Sequence, residues 1–128
     1  MIEQYFVVEG ISDKIILEKM LPSEFVLKTK FIVSKGYNTA ISKARSILVT
    51  SELPVYILVD SDTIDPHTVD EKKEYITQML GQVSVFDRFK VLMSIPETEI
   101  LLFYDKSIFE SFIISVSFNS KEFFVFPD

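Results

Sequence analysis

The chain has 128 residues, of which 48% are hydrophobic and 25% are charged, with twelve phenylalanines and a net charge of −6. These values are typical of one packed globular domain spanning the chain, and they exclude a disordered protein. The absence of cysteine excludes disulfides, thiol catalysis and thiolate metal sites, so a metal would need oxygen ligands or the one histidine, His67.

Hydropathy along the chain bears on location. No apolar run reaches the roughly 18–20 residues that cross a bilayer, and the N-terminus lacks the basic-then-apolar layout of a signal peptide. We therefore expect a cytoplasmic protein with no membrane partner.

The charge of the chain is unevenly distributed. A net negative charge argues against simple electrostatic affinity for nucleic acid. Between Phe25 and Ser51, however, there is no Asp or Glu. Five positive charges occur in this basic stretch: Lys28, Lys30, Lys35, Lys43 and Arg45. This stretch is a candidate surface for a phosphate backbone.

The first elements in chain order are a strand and a helix. Residues 5–8 form a short apolar run that ends at Glu9-Gly10, which predicts a buried strand that stops at a turn. A helix capped by Ser12 or Asp13 follows and ends before Pro22.

A second strand and a second helix come next. Residues 29–33 predict the strand, and Asn38 is the expected cap of the helix. Apolar residues recur in that helix with a helical spacing, at Ala40, Ile41, Ala44, Ile47 and Leu48.

The third strand carries the strongest signal. Residues 55–59 are continuously apolar, as expected of a parallel strand covered on both faces, and they end at Asp60. Thr68 and Glu71 form a capping-box pattern that predicts the start of the next helix.

The remaining elements run from residue 89 onward. Residues 89–93 predict a fourth strand, Pro96 suits the first turn of another helix, and 107–116 and 123–126 are weaker candidates for a helix and a strand. Strands that alternate with helices predict an α/β fold. We expect a Rossmann-like, mainly parallel sheet of about four strands with helices on both faces.

Acidic residues follow two of the predicted strands. Ligands of open parallel sheets bind beyond the carboxyl ends of the strands, where Glu9 and the Asp60-Ser61-Asp62 turn are expected to lie. Neighbouring carboxylates resist joint ionisation, a cost that a divalent cation removes, and Mg²⁺ prefers oxygen ligands. The alternative is a polar turn that caps a helix.

Two segments together resemble a known family. Residues 8–13, Val-Glu-Gly-Ile-Ser-Asp, and residues 57–62, Ile-Leu-Val-Asp-Ser-Asp, resemble the Toprim family. That family includes bacterial primases, topoisomerases and the nuclease domains of overcoming-lysogenisation-defect proteins. The resemblance covers about residues 4–100 and leaves 101–128 unassigned.

The resemblance implies roles for individual residues. Glu9 matches the glutamate that helps to bind metal and acts as general acid or base, and Asp60 and Asp62 match the metal-binding aspartates. Gly10 matches the tight turn next to the phosphate. Asp13 matches an acidic metal-binding position of nuclease-like members, although an acidic residue also suits the first turn of a helix.

Two further positions follow from the same resemblance. Lys35, in the loop after the second strand, matches a basic residue near the phosphate, and an ordinary solvated lysine is the alternative. Glu97, in an acidic helix start, is an additional candidate ligand, and helix N-terminal glutamates are also common without a function. His67 is expected to be an exposed loop residue rather than a general base.

Three functions are compatible with these patterns. The first is phosphoryl transfer on nucleic acid dependent on Mg²⁺ or Mn²⁺, with phosphodiester hydrolysis as the expected reaction. The second is a non-catalytic, metal-dependent module that binds nucleic acid or phosphate inside a larger complex, with a protein partner or as a homo-oligomer. The third is a scaffold whose partner surface is supplied by Phe109, Phe112, Phe118, Phe123 and Phe124. DNA or RNA, and one metal or two, stay open.

Overall fold

The structure, a computed structural model, describes residues 1–94, in which strands and helices alternate. The predictions for Glu97, for the helix at Pro96 and for residues 107–116 and 123–126 lie outside the described residues. The elements are β1 (Gln4–Val8), α1 (Ile11–Met20), α2 (Ser23–Leu27), β2 (Thr29–Val33), α3 (Tyr37–Thr50), β3 (Val55–Asp60), α4 (Pro66–Gly81), a short 3-10 helix (Phe86–Arg88) and β4 (Phe89–Ser94).

The four strands form one parallel sheet in the order β2-β1-β3-β4. This arrangement confirms the predicted α/β class and the parallel sheet of about four strands. β1 and β3 are the central neighbours, and Val8 of β1 pairs with Leu58 of β3. The chain therefore leaves both central strands at the same edge of the sheet.

Helices cover both faces of the sheet, as predicted. Side chains of successive strand residues point to opposite faces. Ile57 belongs to the core under α3 and α4, whereas Leu58 belongs to the core under α1. Both side chains are at most 1% exposed, and each contributes about 1.5–3 kcal/mol of burial energy. This double coverage explains why β3 is apolar at five consecutive positions.

The starts of the long helices differ from those predicted. α1 begins at Ile11 with Gly10 as its N-cap, not Ser12 or Asp13. The Asp13 carboxylate instead accepts a hydrogen bond from the Gly10 N–H at 3.0 Å, from the third helical position back to the cap. The acidic side chain of Asp13 lies in the first turn, as predicted, but three positions after the N-cap.

The two later long helices also begin before their predicted caps. α3 begins at Tyr37 with Gly36, at φ 127°, as its N-cap instead of Asn38. α4 begins at Pro66 instead of Thr68 because proline is preorganised for the first helical position. Asp65 caps it by accepting from the Thr68 N–H at 3.1 Å.

Helix α2 was not predicted, because five residues are too few to reveal a helical period.

None of the helices in the described region has the length and apolar character that crossing a bilayer would require.

Candidate functional site at the acidic edge of the sheet

Glu9 and Asp60 come together where the two central strands end. Glu9 directly follows β1, and Asp60 is the last residue of β3. The Asp60 N–H donates to Glu9 Oε2 at 3.3 Å, and the Gly36 N–H donates to the Glu9 carbonyl oxygen at 2.9 Å. Glu9 is thus tied to both the end of β3 and the start of α3. We call Glu9, Asp60 and Asp62 the acidic edge.

The surroundings of Glu9 change its proton affinity. Burial disfavours the ionised form and raises the pKa of the Glu9 carboxyl to about 7, and the nearby charges of Asp60 and Asp62 also raise it. The hydrogen bond from the Asp60 N–H and the Lys72 ammonium act in the opposite direction. A carboxyl with such a pKa can both donate and accept a proton near neutral pH.

Asp62 lies on the loop after β3, in the left-handed backbone region at φ 59°. Aspartate tolerates this region better than most residues because its short side chain can bond locally. Its side chain is 69% exposed, so a carboxylate oxygen is accessible from solvent. Ser61, between the two aspartates, is buried, and its main-chain N–H donates to the Ser94 carbonyl oxygen at 3.0 Å.

Lys72 of α4 reaches the acidic edge. Its Nζ donates to the Asp60 carbonyl oxygen at 2.6 Å and lies 3.7 Å from Asp62 Oδ2. The same ammonium lies 4.5 Å from the centroid of the Tyr37 ring, a cation–π distance. Burial raises the pKa of the Tyr37 hydroxyl to about 12, with further contributions from Tyr75 and Glu9, so this hydroxyl is neutral at physiological pH.

The donor set can be compared with what a metal requires. Carboxylate oxygens are the ligands that Mg²⁺ prefers, and Mg²⁺ commonly keeps several waters beside one or two protein ligands. Glu9, Asp60 and Asp62 fit that chemistry, since the charges of the two aspartates interact with the Glu9 carboxyl and raise its pKa. Within residues 1–94, no three His, Cys, Asp or Glu side chains are already grouped as ligands of an ion. Binding of a metal ion would therefore require the carboxylates of the acidic edge to rotate toward one another.

The other predicted positions are only partly at this edge. Asp13 is 5% exposed, and one of its carboxylate oxygens accepts from Gly10 at the turn after β1. Lys35 is exposed in the loop before α3, in the left-handed region at φ 58°. His67 is exposed as expected, but on the first turn of α4, where Nε2 lies 3.3 Å from Glu71 Oε1.

Most of the basic stretch serves the fold. Lys28 pairs with Glu3 at 3.7 Å, and Lys43 donates to the Val33 carbonyl oxygen at 2.9 Å. Arg45 donates to the Met79 carbonyl oxygen at 2.7 Å. Lys30 and Lys35 are exposed, as is Lys28. The stretch is therefore not one continuous surface of free cations.

Sequence reasoning missed Lys72 and Tyr37. A signal for Lys72 was present, because it lies three residues after Val69 and four before Ile76, both of which are buried. A lysine in the sheet-facing stripe of a helix must carry its ammonium to a partner. The predicted cap at Asn38 leaves Tyr37 outside the helix, whereas Tyr37 is the first residue of α3.

The raised pKa of Glu9 predicts a stability change with pH. The pKa is 4.5 in the unfolded chain and about 7 in the fold, so Glu9 favours folding at low pH. That contribution is lost as the pH rises through this interval. Without metal, Glu9→Gln should match the wild type in stability at about pH 4. At about pH 8 the variant should be more stable by about 1–2 kcal/mol, a value reduced for solvent access. Urea unfolding in chelator measures this difference, and an equal difference at both pH values would contradict it.

Comparisons of the chain with protein-family models, with curated proteins and with solved structures found no match.

Proposed function

We propose that this chain is a divalent-metal-dependent phosphoryl-transfer protein that hydrolyses phosphodiester bonds in nucleic acid at the acidic edge. The observation that supports this proposal best is the position of Glu9. Its carboxyl is part-buried at the end of a central strand, has a pKa of about 7, and interacts with the charges of Asp60 and Asp62. Such a group next to two other carboxylates suits proton transfer beside a bound cation.

Asp60 and Asp62 would hold the metal, with Glu9 as a further ligand or as the group that binds a nearby water. When bound, Mg²⁺ or Mn²⁺ would supply Lewis-acid stabilisation of the charge that builds on the phosphoryl group. Glu9 would take a proton from the attacking water or return one to the leaving oxygen. Lys35 lies in the loop whose Gly36 N–H donates to the Glu9 carbonyl oxygen, and its exposed ammonium would contact a substrate phosphate.

A second candidate function is favoured by the Lys72 contacts. An ammonium already compensates part of the negative charge of the acidic edge through Asp62 and the Asp60 carbonyl group. A module that binds phosphate or nucleic acid within a larger complex needs no cleavage step, and such an edge would serve it. A protein partner or a second copy, and a cytoplasmic location, belong to both proposals.

The test is a metal titration of the wild type and of Asp60→Asn/Asp62→Asn by calorimetry, together with cleavage assays on labelled single- and double-stranded DNA and RNA. We expect the double variant to bind Mn²⁺ at least about tenfold more weakly, because two anionic ligands are lost. Its cleavage should fall in parallel.

The matched control is Asp70→Asn/Glu74→Gln. This variant makes the same change in net charge at two exposed positions of α4. It should bind metal and cleave like the wild type, and thermal melting checks that every variant folds. Metal binding without cleavage would favour the binding module. No metal binding by the wild type would refute the metal site.

A further inference from the structure

Lys72 occupies an unusual position for a lysine. It lies on the stripe of α4 that faces the sheet, and its side chain is only 19% exposed. Placing an ammonium there is costly unless charged or polar groups replace the lost water. Its partners should therefore indicate what the side chain does.

Three contacts of Lys72 involve segments that build the acidic edge. Nζ donates to the carbonyl oxygen of Asp60, pairs with the Asp62 carboxylate, and lies over the ring of Tyr37. The first partner ends β3, the second is on the loop after it, and the third begins α3. One ammonium thus joins the end of β3 and the loop after it to the start of α3.

The charge of Lys72 also reaches Glu9. The Lys72 ammonium lowers the pKa of the Glu9 carboxyl, whereas Asp60 and Asp62 raise it. One positive charge therefore interacts with the carboxylates of Glu9 and Asp62 and with the main-chain carbonyl group of Asp60. It offsets part of the mutual repulsion that would otherwise oppose the approach of the acidic side chains. A divalent cation bound at the same place would do the same with twice the charge.

From these contacts we propose that Lys72 is the internal counter-ion of the acidic edge and that a divalent cation competes with its ammonium for the same carboxylates. The part of this inference that concerns metal rests on the proposed function. Lys72 keeps the acidic edge assembled without metal, and its ammonium must withdraw when a cation is bound. Lys72 is in this role a positioning residue.

The first experiment is a calorimetric Mn²⁺ titration of Lys72→Met, Lys72→Arg and Lys43→Met. A unit charge about 6 Å from a divalent ion, even in the dielectric of water, changes its affinity roughly tenfold. We therefore expect Lys72→Met to bind Mn²⁺ about tenfold more tightly than the wild type. Lys72→Arg, which keeps the charge, should bind like the wild type.

Lys43→Met is the matched control, since Lys43 also donates to a strand-end carbonyl group, that of Val33, at 2.9 Å. It should leave the Mn²⁺ affinity close to that of the wild type. Wild-type or weaker affinity in Lys72→Met would overturn the competition.

The second experiment needs no metal. Thermal melting in chelator compares the effect of Lys72→Met in the wild type with its effect in Glu9→Gln/Asp60→Asn/Asp62→Asn, where the acidic edge is neutral. A counter-ion should lower the melting temperature by several degrees in the first background and by less than about half as much in the second. Equal losses would overturn the counter-ion role. If no variant binds metal, the proposed function fails, and this comparison still decides whether Lys72 is the counter-ion.

Discussion

Replacing Glu9 by glutamine is expected to lower the rate of phosphodiester cleavage by roughly 10²- to 10⁴-fold, the usual contribution of a general acid or base. Glutamine keeps an oxygen that can accept the hydrogen bond from the Asp60 N–H, which is 3.3 Å long in the wild type. The variant should therefore keep the geometry of the strand end and lose only the group that exchanges a proton near neutral pH.

Single-turnover cleavage at saturating Mn²⁺ and at several pH values measures this loss. Glu74→Gln, an exposed position of α4, is the control that makes the same chemical change away from the acidic edge. In chelator at about pH 8, Glu9→Gln should also be more stable than the wild type, because the ionisation of a part-buried carboxyl is removed. Lost activity together with gained stability excludes unfolding as the cause. An unchanged rate in Glu9→Gln would show that Glu9 transfers no proton.

The fold could be predicted from sequence where the pattern depends on burial. β3 is apolar at five consecutive positions because cores on both faces cover it, and that pattern alone indicates a central parallel strand. The buried residues Ala40, Ala44 and Leu48 of α3 likewise repeat with a helical period. Helix starts were less predictable, since several nearby residues can each act as a cap. Gly36 and Asp65 are N-caps where Asn38 and Thr68 were expected.

Only part of the site could be predicted in the same way. Glu9 and Asp60 each follow a predicted strand, so their place at one edge of the sheet was expected. Their contact depends on β1 and β3 being neighbours, and strand order is a long-range property that no local pattern encodes. The contact between Lys72 and Tyr37 also depends on a long-range arrangement that no local pattern encodes. They meet because α3 and α4 pack on the same face of the sheet.

The largest expected effect on stability concerns Arg88, which lies in the 3-10 helix before β4. Its guanidinium donates to three main-chain carbonyl oxygens, those of Leu48 at 3.2 Å, Ser51 at 2.6 Å and Leu53 at 2.9 Å. These carbonyl groups belong to the last turn of α3 and to the connection into β3, where helical carbonyl groups have no partner within the helix. We expect Arg88→Met to lower the free energy of unfolding by about 2–4 kcal/mol.

Urea unfolding monitored by circular dichroism measures this change. Arg45→Met is the matched control, because Arg45 donates to only one main-chain carbonyl oxygen among the described residues, that of Met79, and to the exposed side chain of Gln82. It should cost about 1 kcal/mol. Arg88→Lys should recover only part of the loss, since an ammonium lacks the planar fork that reaches several acceptors together. A loss in Arg88→Met no larger than in Arg45→Met would mean that water replaces the guanidinium at little cost. A larger loss in Arg88→Met than in Arg45→Met would mean that Arg88 fixes the end of α3. The first residue of that helix, Tyr37, lies over the Lys72 ammonium at the acidic edge.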